Sequence, residues 1–308
     1  MRSPWIRTLQ WAAGLAILWF AGRSLLRNWH DLGAQPLEWR IDPLRLLLAA
    51  LVVWAMYALL ITSWRVMLAA WGERLDGWTA ARIWTVSNLG KYLPGKVWAI
   101  AGMALMARQA GVSPAAATGS AVILQAVSIG SGAAVAALTG AAALERARPG
   151  ATAALWVILA AAVGGIGLLL WPPVLRRLLR VAAPEAAFDA TPPLPGVLYG
   201  VIANVAGWVG YGLALWLLAR GLLPNAGLGL QTAIAVFTAS YLAGFLAFIA
   251  PGGLGVREGL FILMLQGTLG IGAATALALA SRVLLTVTEL GAAVPFLVFP
   301  RRNARVAL

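Results

Sequence analysis

Pro251-Gly252-Gly253-Leu254-Gly255-Val256-Arg257-Glu258-Gly259 interrupts an apolar stretch that runs from Gln231 to Leu265. Proline removes a backbone donor and glycine admits conformations closed to other residues, so this element predicts the end of one helix, a turn and the start of another. It also sets an arginine beside a glutamate inside an apolar region. A second apolar stretch, Ile83 to Arg108, is broken in the same manner at Leu93-Pro94-Gly95-Lys96. Irregular backbone at membrane depth is stable only where protein or a water-filled cavity covers it. Each break therefore predicts a re-entrant helical hairpin lining a site rather than a lipid-facing wall.

Composition sets these breaks in a membrane. The 308 residues are 61% hydrophobic and 11% charged, with a mean hydropathy of +0.85, values that exclude a soluble globular chain. The 23 basic residues outnumber the 10 acidic ones, for a formal charge of +13, yet they are scattered between apolar runs. That pattern points to anionic phospholipid as partner and not to nucleic acid. The absence of cysteine excludes disulfides and thiolate chemistry, and the one histidine, His30, lies in a short polar stretch suited to the interface. No metal or cofactor is expected. Many of the 15 tryptophans fall near the ends of apolar runs, where an amphipathic ring prefers the headgroup level.

A helix needs about 20 apolar residues to cross the hydrocarbon core. Runs of that kind predict crossings at Thr8 to Leu26, Leu44 to Trp64, Pro114 to Leu144, Ala151 to Trp171, Pro195 to Ala219 and Gly270 to Phe299. Met1 to Phe20 is expected to be a retained first helix, because no convincing small-x-small cleavage site follows it. The expected fold is an all-α polytopic membrane bundle, one integral domain over 1–308, with two re-entrant hairpins. About twice as many lysines and arginines fall on the side of the termini as on the other, which places both termini in the cytoplasm. The first hairpin then enters from the cytoplasm and the second from the opposite face. Ala110-Gly111-Val112-Ser113-Pro114-Ala115-Ala116 parallels Leu269-Gly270-Ile271-Gly272-Ala273-Ala274, each after a break. These matched features predict an inverted repeat with halves near 44–144 and 195–300.

The charges inside apolar stretches are the candidate site. A charge at the bilayer centre costs about 2.5–3.5 kcal/mol on insertion scales, so such residues face a cavity or a partner. Arg257 and Glu258 from the second break join Arg282 and Glu289, which lie seven residues apart on one helical face. Glu258 with Arg282, or Arg257 with Glu289, would form a pair that holds hairpin to helix. A transport reading has the carboxylates take up protons or orient a cation while Arg257 or Arg282 holds a phosphate. Gly252, Gly253 and Gly255 supply the turn. In the first break, Asn88 and Lys96 flank the Pro94-Gly95 turn, whose free backbone donors suit an anionic headgroup. Lys91 is a further candidate site residue of this turn, its alternative reading being an ordinary interfacial positive-inside marker. Gln125, with Ser120, Ser128 and Ser131, makes a polar stripe on the third crossing; the serines suit helix packing, and Gln125 is a candidate site residue near mid-membrane. No phosphate-binding loop for a nucleotide, paired-histidine site or nucleophile elbow is present, so no enzyme chemistry is expected.

Together, Asn88 to Gly95 (NLGKYLPG), Pro251 to Gly259 (PGGLGVREG) and the downstream Arg282 resemble the lysylphosphatidylglycerol synthase transmembrane-region family of flippase-like membrane proteins. The resemblance covers nearly the whole chain. It implies a lipid translocator, since in bifunctional synthases this region is similar to a flippase for aminoacylated phosphatidylglycerol, and stand-alone relatives are suggested to handle polyprenyl-linked lipids or glycolipids. The chain ends eight residues after Pro300, so the acyltransferase domain and lipid aminoacylation are not expected. Where the family often carries a Glu-Arg-x-x-Asp cluster, this chain has Gln125-Ala126-Val127-Ser128, which removes those charges.

The expected function is movement of a phosphate-bearing lipid between leaflets of the cytoplasmic (inner) membrane, through a polar groove between the hairpins. The partner would be membrane phospholipid or a polyprenyl-linked lipid, and a homo-oligomer is compatible with the sequence. Two rivals use the same residues: a proton- or ion-coupled carrier of a small polar solute, and a non-transporting membrane partner of a lipid-modifying enzyme.

Overall fold

The computed structural model describes residues 40–92, 98–147, 152–171, 173–174, 177, 194–247 and 253–298. Every described secondary-structure element is a helix. The expected first crossing, Thr8 to Leu26, and His30, Pro94, Gly95, Lys96, Pro251 and Gly252 lie outside the described residues.

Helix α1 spans Pro43–Ala70, with Asp42 capping its start through the Arg45 N–H and Pro43 at its first position. Its 28 residues reach about 42 Å. It stops where Gly72 takes φ 82° and the Glu73 N–H reaches back to the Leu68 carbonyl at 3.0 Å. Asp76 then caps α2, Gly77–Asn88, accepting from the Trp78 and Thr79 N–H groups at 3.0 and 3.1 Å. The Thr79 hydrogen bonds hold the Asp76 carboxyl below its ordinary value. A 3₁₀ turn, Leu89–Tyr92, follows, and α3, Trp98–Gln109, packs back on α2. Each of these helices has 12 residues, or about 18 Å, too short to cross about 30 Å of hydrocarbon alone. Glu73, before α2, accepts from the Ser113 N–H beyond α3 at 3.1 Å, so the two ends of this helix–turn–helix unit lie together.

Helix α4 spans Pro114–Ala147, α5 Thr152–Leu170 and α6 Leu194–Leu222. Helices α1 and α6 form the most extensive contact and run antiparallel. The Asp42 N–H bonds the Gly221 carbonyl at one end, while Gly196 sits against Met67 at the other. Small residues permit this approach, as they do wherever membrane helices pack without a hydrophobic drive between them. A Cβ on Gly212 would fall 2.4 Å from the Ile234 Cα, which is backbone and cannot turn aside. Gly212→Ala is expected to destabilise the bundle by about 1–3 kcal/mol, read as a lowered midpoint in thermal size-exclusion. Gly164→Ala on α5, with nothing within 4 Å, is the control expected to leave the midpoint unchanged.

Helix α7, Leu230–Leu246, leads through a turn into α8, Val256–Val298. Gln231 bonds the Thr139 carbonyl, so α7 begins at the far end of α4 from Ser113. Inside α8, Gly270 adopts φ 75° and ψ 160°, a conformation that glycine alone takes readily, and the chain reverses there into a second helical run. Gly111 also has positive φ, 81°, so the small-residue pairing read between Ala110 to Ala116 and Leu269 to Ala274 places a positive-φ glycine at each joint between a short helix and a long one. The Trp78 ring lies 4.7 Å from that of Phe296, bringing the end of α8 to the start of α2.

Four described helices are long and apolar enough to cross a membrane: α1, α4 over Pro114–Ala141, α6 and α8. Large apolar side chains such as Leu44, Leu51, Ile202, Val283, Val287 and Leu297 remain exposed along their outer faces, as expected where lipid is the solvent. The expected crossings from Leu44 to Trp64 and from Pro195 to Ala219 each extend past both predicted ends, and the Gly270 start of the last is reproduced as the joint in α8.

Candidate functional site

The turn before α8 is built from glycine. Gly253 and Gly255 have φ of 69° and 80°, and a Cβ on Gly253 would stand 2.7 Å from the Gly244 Cα, so α7 and the turn touch backbone to backbone. Gly244 in turn leaves room for the Arg257 Cβ. Glu258, in the first turn of α8, accepts from the Gly255 N–H at 2.7 Å, closing the helix start from within, where the helix dipole favours a carboxylate. Its other oxygen accepts from Arg282 Nη1. The predicted Glu258–Arg282 pair is therefore present, and both carboxylate oxygens are engaged.

The alternative pair, Arg257 with Glu289, is not formed. Glu289 accepts instead from Lys91 Nζ, which arrives from the 3₁₀ turn of the first break. Of the two readings of Lys91, this contact favours the site residue over the interfacial marker: its side chain is about three-quarters withdrawn from the surface and meets a carboxylate that is 8% exposed. Gly90 makes this possible, since a Cβ there would strike the backbone of Trp98 and Ala99 at 2.7–2.8 Å. The turn thus lies flat on the start of α3 and points Lys91 at α8.

Arg257 takes a third environment. It is 7% exposed, donates to Ser281 Oγ at 2.9 Å, and lies with its guanidinium carbon 5.5 Å from the ring centroids of both Phe237 and Tyr241. Glu258, Arg282 and Glu289 are all within its electrostatic reach. The aromatic rings continue away from it: Phe237 stacks on Tyr211 at 5.4 Å, Tyr211 approaches Tyr57 at 6.3 Å, and Tyr57 approaches Trp84 at 5.5 Å. Tyr57 and Trp84 line a cleft with Thr85, Asn88, Leu89, Glu289 and Ala292. The cleft has a free volume of about 10 Å³, room for about one water, so admitting a headgroup requires the surrounding helices to part.

Of the sequence candidates, Lys91, Arg257, Glu258, Arg282 and Glu289 come together, Gly253 and Gly255 form the turn beneath them, and Asn88 lines the adjoining cleft. Gln125 does not join them. It is half-buried on α4, which packs mainly on α1, α3, α5, α6 and α7 rather than on α8. The serines beside it pack as expected: Ser120 Oγ accepts from the Trp64 indole at 2.9 Å, and the Ser128 carbonyl accepts from that of Trp208 at 3.0 Å. Ser281, Phe237, Tyr241, Tyr57 and Trp84 were not singled out in the sequence. Phe237 and Tyr241, four residues apart, do carry a signal, because that spacing puts both rings on one helical face.

No curated protein matches the chain. A family model described as the lysylphosphatidylglycerol synthase transmembrane region matches residues 7–288. With long apolar helices around a buried cluster of charges and a match over most of its length, the chain is a multi-pass membrane protein and belongs to the lysylphosphatidylglycerol synthase transmembrane-region family.

Proposed function

We propose that the protein moves a phosphate-bearing lipid between leaflets of the cytoplasmic membrane, with both termini in the cytoplasm and no enzymatic step. The observation that carries this reading is the cluster of Lys91, Arg257, Glu258, Arg282 and Glu289, gathered where the 3₁₀ turn after α2 and the start of α8 each reach the part of α8 beyond Gly270. A charged headgroup crossing hydrocarbon faces a large desolvation barrier, and a polar seam through the bundle lowers it while the tails stay in lipid.

In this reading the α2–α3 unit and the unit formed by α7 and the first part of α8 are re-entrant hairpins from opposite faces, related as an inverted repeat. Support comes from the Glu73–Ser113 contact that closes one unit and the Gln231–Thr139 contact at the base of the other, on opposite ends of α4. The aminoacyl-phospholipids, glycolipids and polyprenyl-linked lipids are the substrate classes that the family suggests.

Reconstitution into vesicles carrying a fluorescent phospholipid tests the proposal. The inner-leaflet label should become accessible to an impermeant quencher much faster than in protein-free vesicles. Absence of exchange together with uptake of a small polar solute would favour a solute carrier instead. For Glu258 itself, the engagement of both oxygens favours a structural bracket between turn and helix over direct contact with substrate.

A further inference from the structure

Trp54 lies 11 residues after Pro43 and 16 before Ala70, about 17 Å and about 24 Å from the two ends of α1. That depth is far from the headgroup levels that tryptophan favours. Leu44, Leu47, Leu51 and Trp54 form one exposed stripe along α1, and Val283, Val287, Leu290 and Val294 form another along α8. Between the stripes the Trp54 ring, 41% exposed, bridges the two helices. Its Nε1 donates to the Thr288 carbonyl at 2.9 Å, and a Cβ on the exposed Gly291 would stand 3.2 Å from the ring. The missing side chain at 291 is what lets the indole lie close against α8. Inward of it, Tyr57 on α1 and Glu289 and Ala292 on α8 line the cleft, so the indole stands between lipid and that cleft.

The bridge is built to release. The Thr288 carbonyl lies inside α8, where the helix supplies it a second donor, so losing the indole does not leave it bare. Pro295, four residues beyond Gly291, has no N–H to give to the Gly291 carbonyl, and α8 is therefore weakened at the position that Trp54 covers. The other edges of the cleft are fastened by the Lys91–Glu289 ion pair, the Trp78–Phe296 contact and the Tyr57–Trp84 contact. We propose that the seam between α1 and α8 at Trp54 and Gly291 is the lateral entry for a phospholipid headgroup, with the indole as its clasp. When the clasp releases and α8 bends at Pro295, the headgroup passes into the cleft and the tails stay outside. This deepens the transport reading and rests on it for the purpose of the entry.

The full-length protein in vesicles is the test. Trp54→Cys with Gly291→Cys, joined by a short bis-thiosulfonate reagent, should lose exchange of fluorescent phospholipid, and a reducing agent should restore it. The same link across the α1–α6 contact, Leu60→Cys with Gly207→Cys, should leave exchange unchanged. Trp54→Phe keeps a ring and removes the N–H; exchange should rise by about two- to tenfold, the shift expected of one hydrogen bond. Phosphatidylglycerol with a photoreactive diazirine on its headgroup gives a readout independent of transport. On irradiation it should mark residues 54–57 or 288–292, midway along the helices, and the 54–291 link should suppress that mark. Should the cysteine pair fail to fold, the phenylalanine variant and the wild-type mark still decide. Undiminished exchange in the linked protein, unchanged exchange in the phenylalanine variant, or marking confined to the helix ends would overturn the inference and leave transport standing by another route. Midway marking that the link suppresses, without any exchange in the wild type, would refute transport and leave the entry standing.

Discussion

Glu258→Gln lowers the stability of the folded bundle by about 3–5 kcal/mol, because it leaves the Arg282 guanidinium without its carboxylate inside the protein. The amide keeps nearly the same shape and can still accept from the Gly255 N–H, so the loss isolates the charge pair from the turn it closes. Arg282→Gln alone should cost a comparable amount by exposing the converse problem, a buried carboxylate that has kept only its backbone donor. The double change Glu258→Gln with Arg282→Gln should recover much of the loss, since replacing both partners by neutral groups removes the unpaired charge. Thermal unfolding of the three variants in detergent reads these differences. Additive losses would mean that the two side chains do not act as a pair.

Reversing the Lys91–Glu289 pair gives the second large effect. Lys91→Glu alone sets two carboxylates against each other next to the cleft that Asn88, Tyr57 and Trp84 line, and lipid exchange should fall at least about tenfold. Glu289→Lys alone should do the same with two cations. The combined reversal restores opposite charges across the same contact and should return most of the rate, because an attraction between two point charges does not depend on which element carries which sign. The readout is the fluorescent-lipid exchange rate of the three variants in vesicles. Failure of the combined variant to recover, with the protein folded, would show that each side chain acts on substrate separately.

How far these residues could be read in advance depended on how local their signals are. The helix starts at Pro43 and Gly77 follow capping aspartates, and the joints at Gly111 and Gly270 follow from glycine in short-helix, long-helix boundaries, all visible within a few residues. The two interrupted stretches were legible because proline and glycine restrict or free the backbone at the position they occupy. Glu258 with Arg282 was within reach, since their separation of 24 residues is bridged by one helix and its kink. Lys91 with Glu289 was not. Those residues are 198 positions apart, and an exposed-looking lysine in a basic stretch gives no local sign of a partner that only tertiary packing brings near. The same limit applies to Arg257. Its neighbours Phe237 and Tyr241 form a visible pair on α7, but that they stack against this guanidinium, in place of Glu289, follows from the close approach of Gly244 and Gly253.

The meeting of the 3₁₀ turn Leu89–Tyr92 with α8 is the contact on which the shared polar cluster stands, and the absence of native cysteine allows a direct measurement of it. Lys91→Cys with Glu289→Cys, treated in membranes with a short bis-thiosulfonate reagent, should give an internally cross-linked chain that migrates faster on a denaturing gel. Lys91→Cys with Gly164→Cys on α5, a helix that packs mainly on α4, should not. Efficient linkage of 91 to 289 is the predicted result; no linkage of that pair, with both thiols shown to be reactive, would contradict the account.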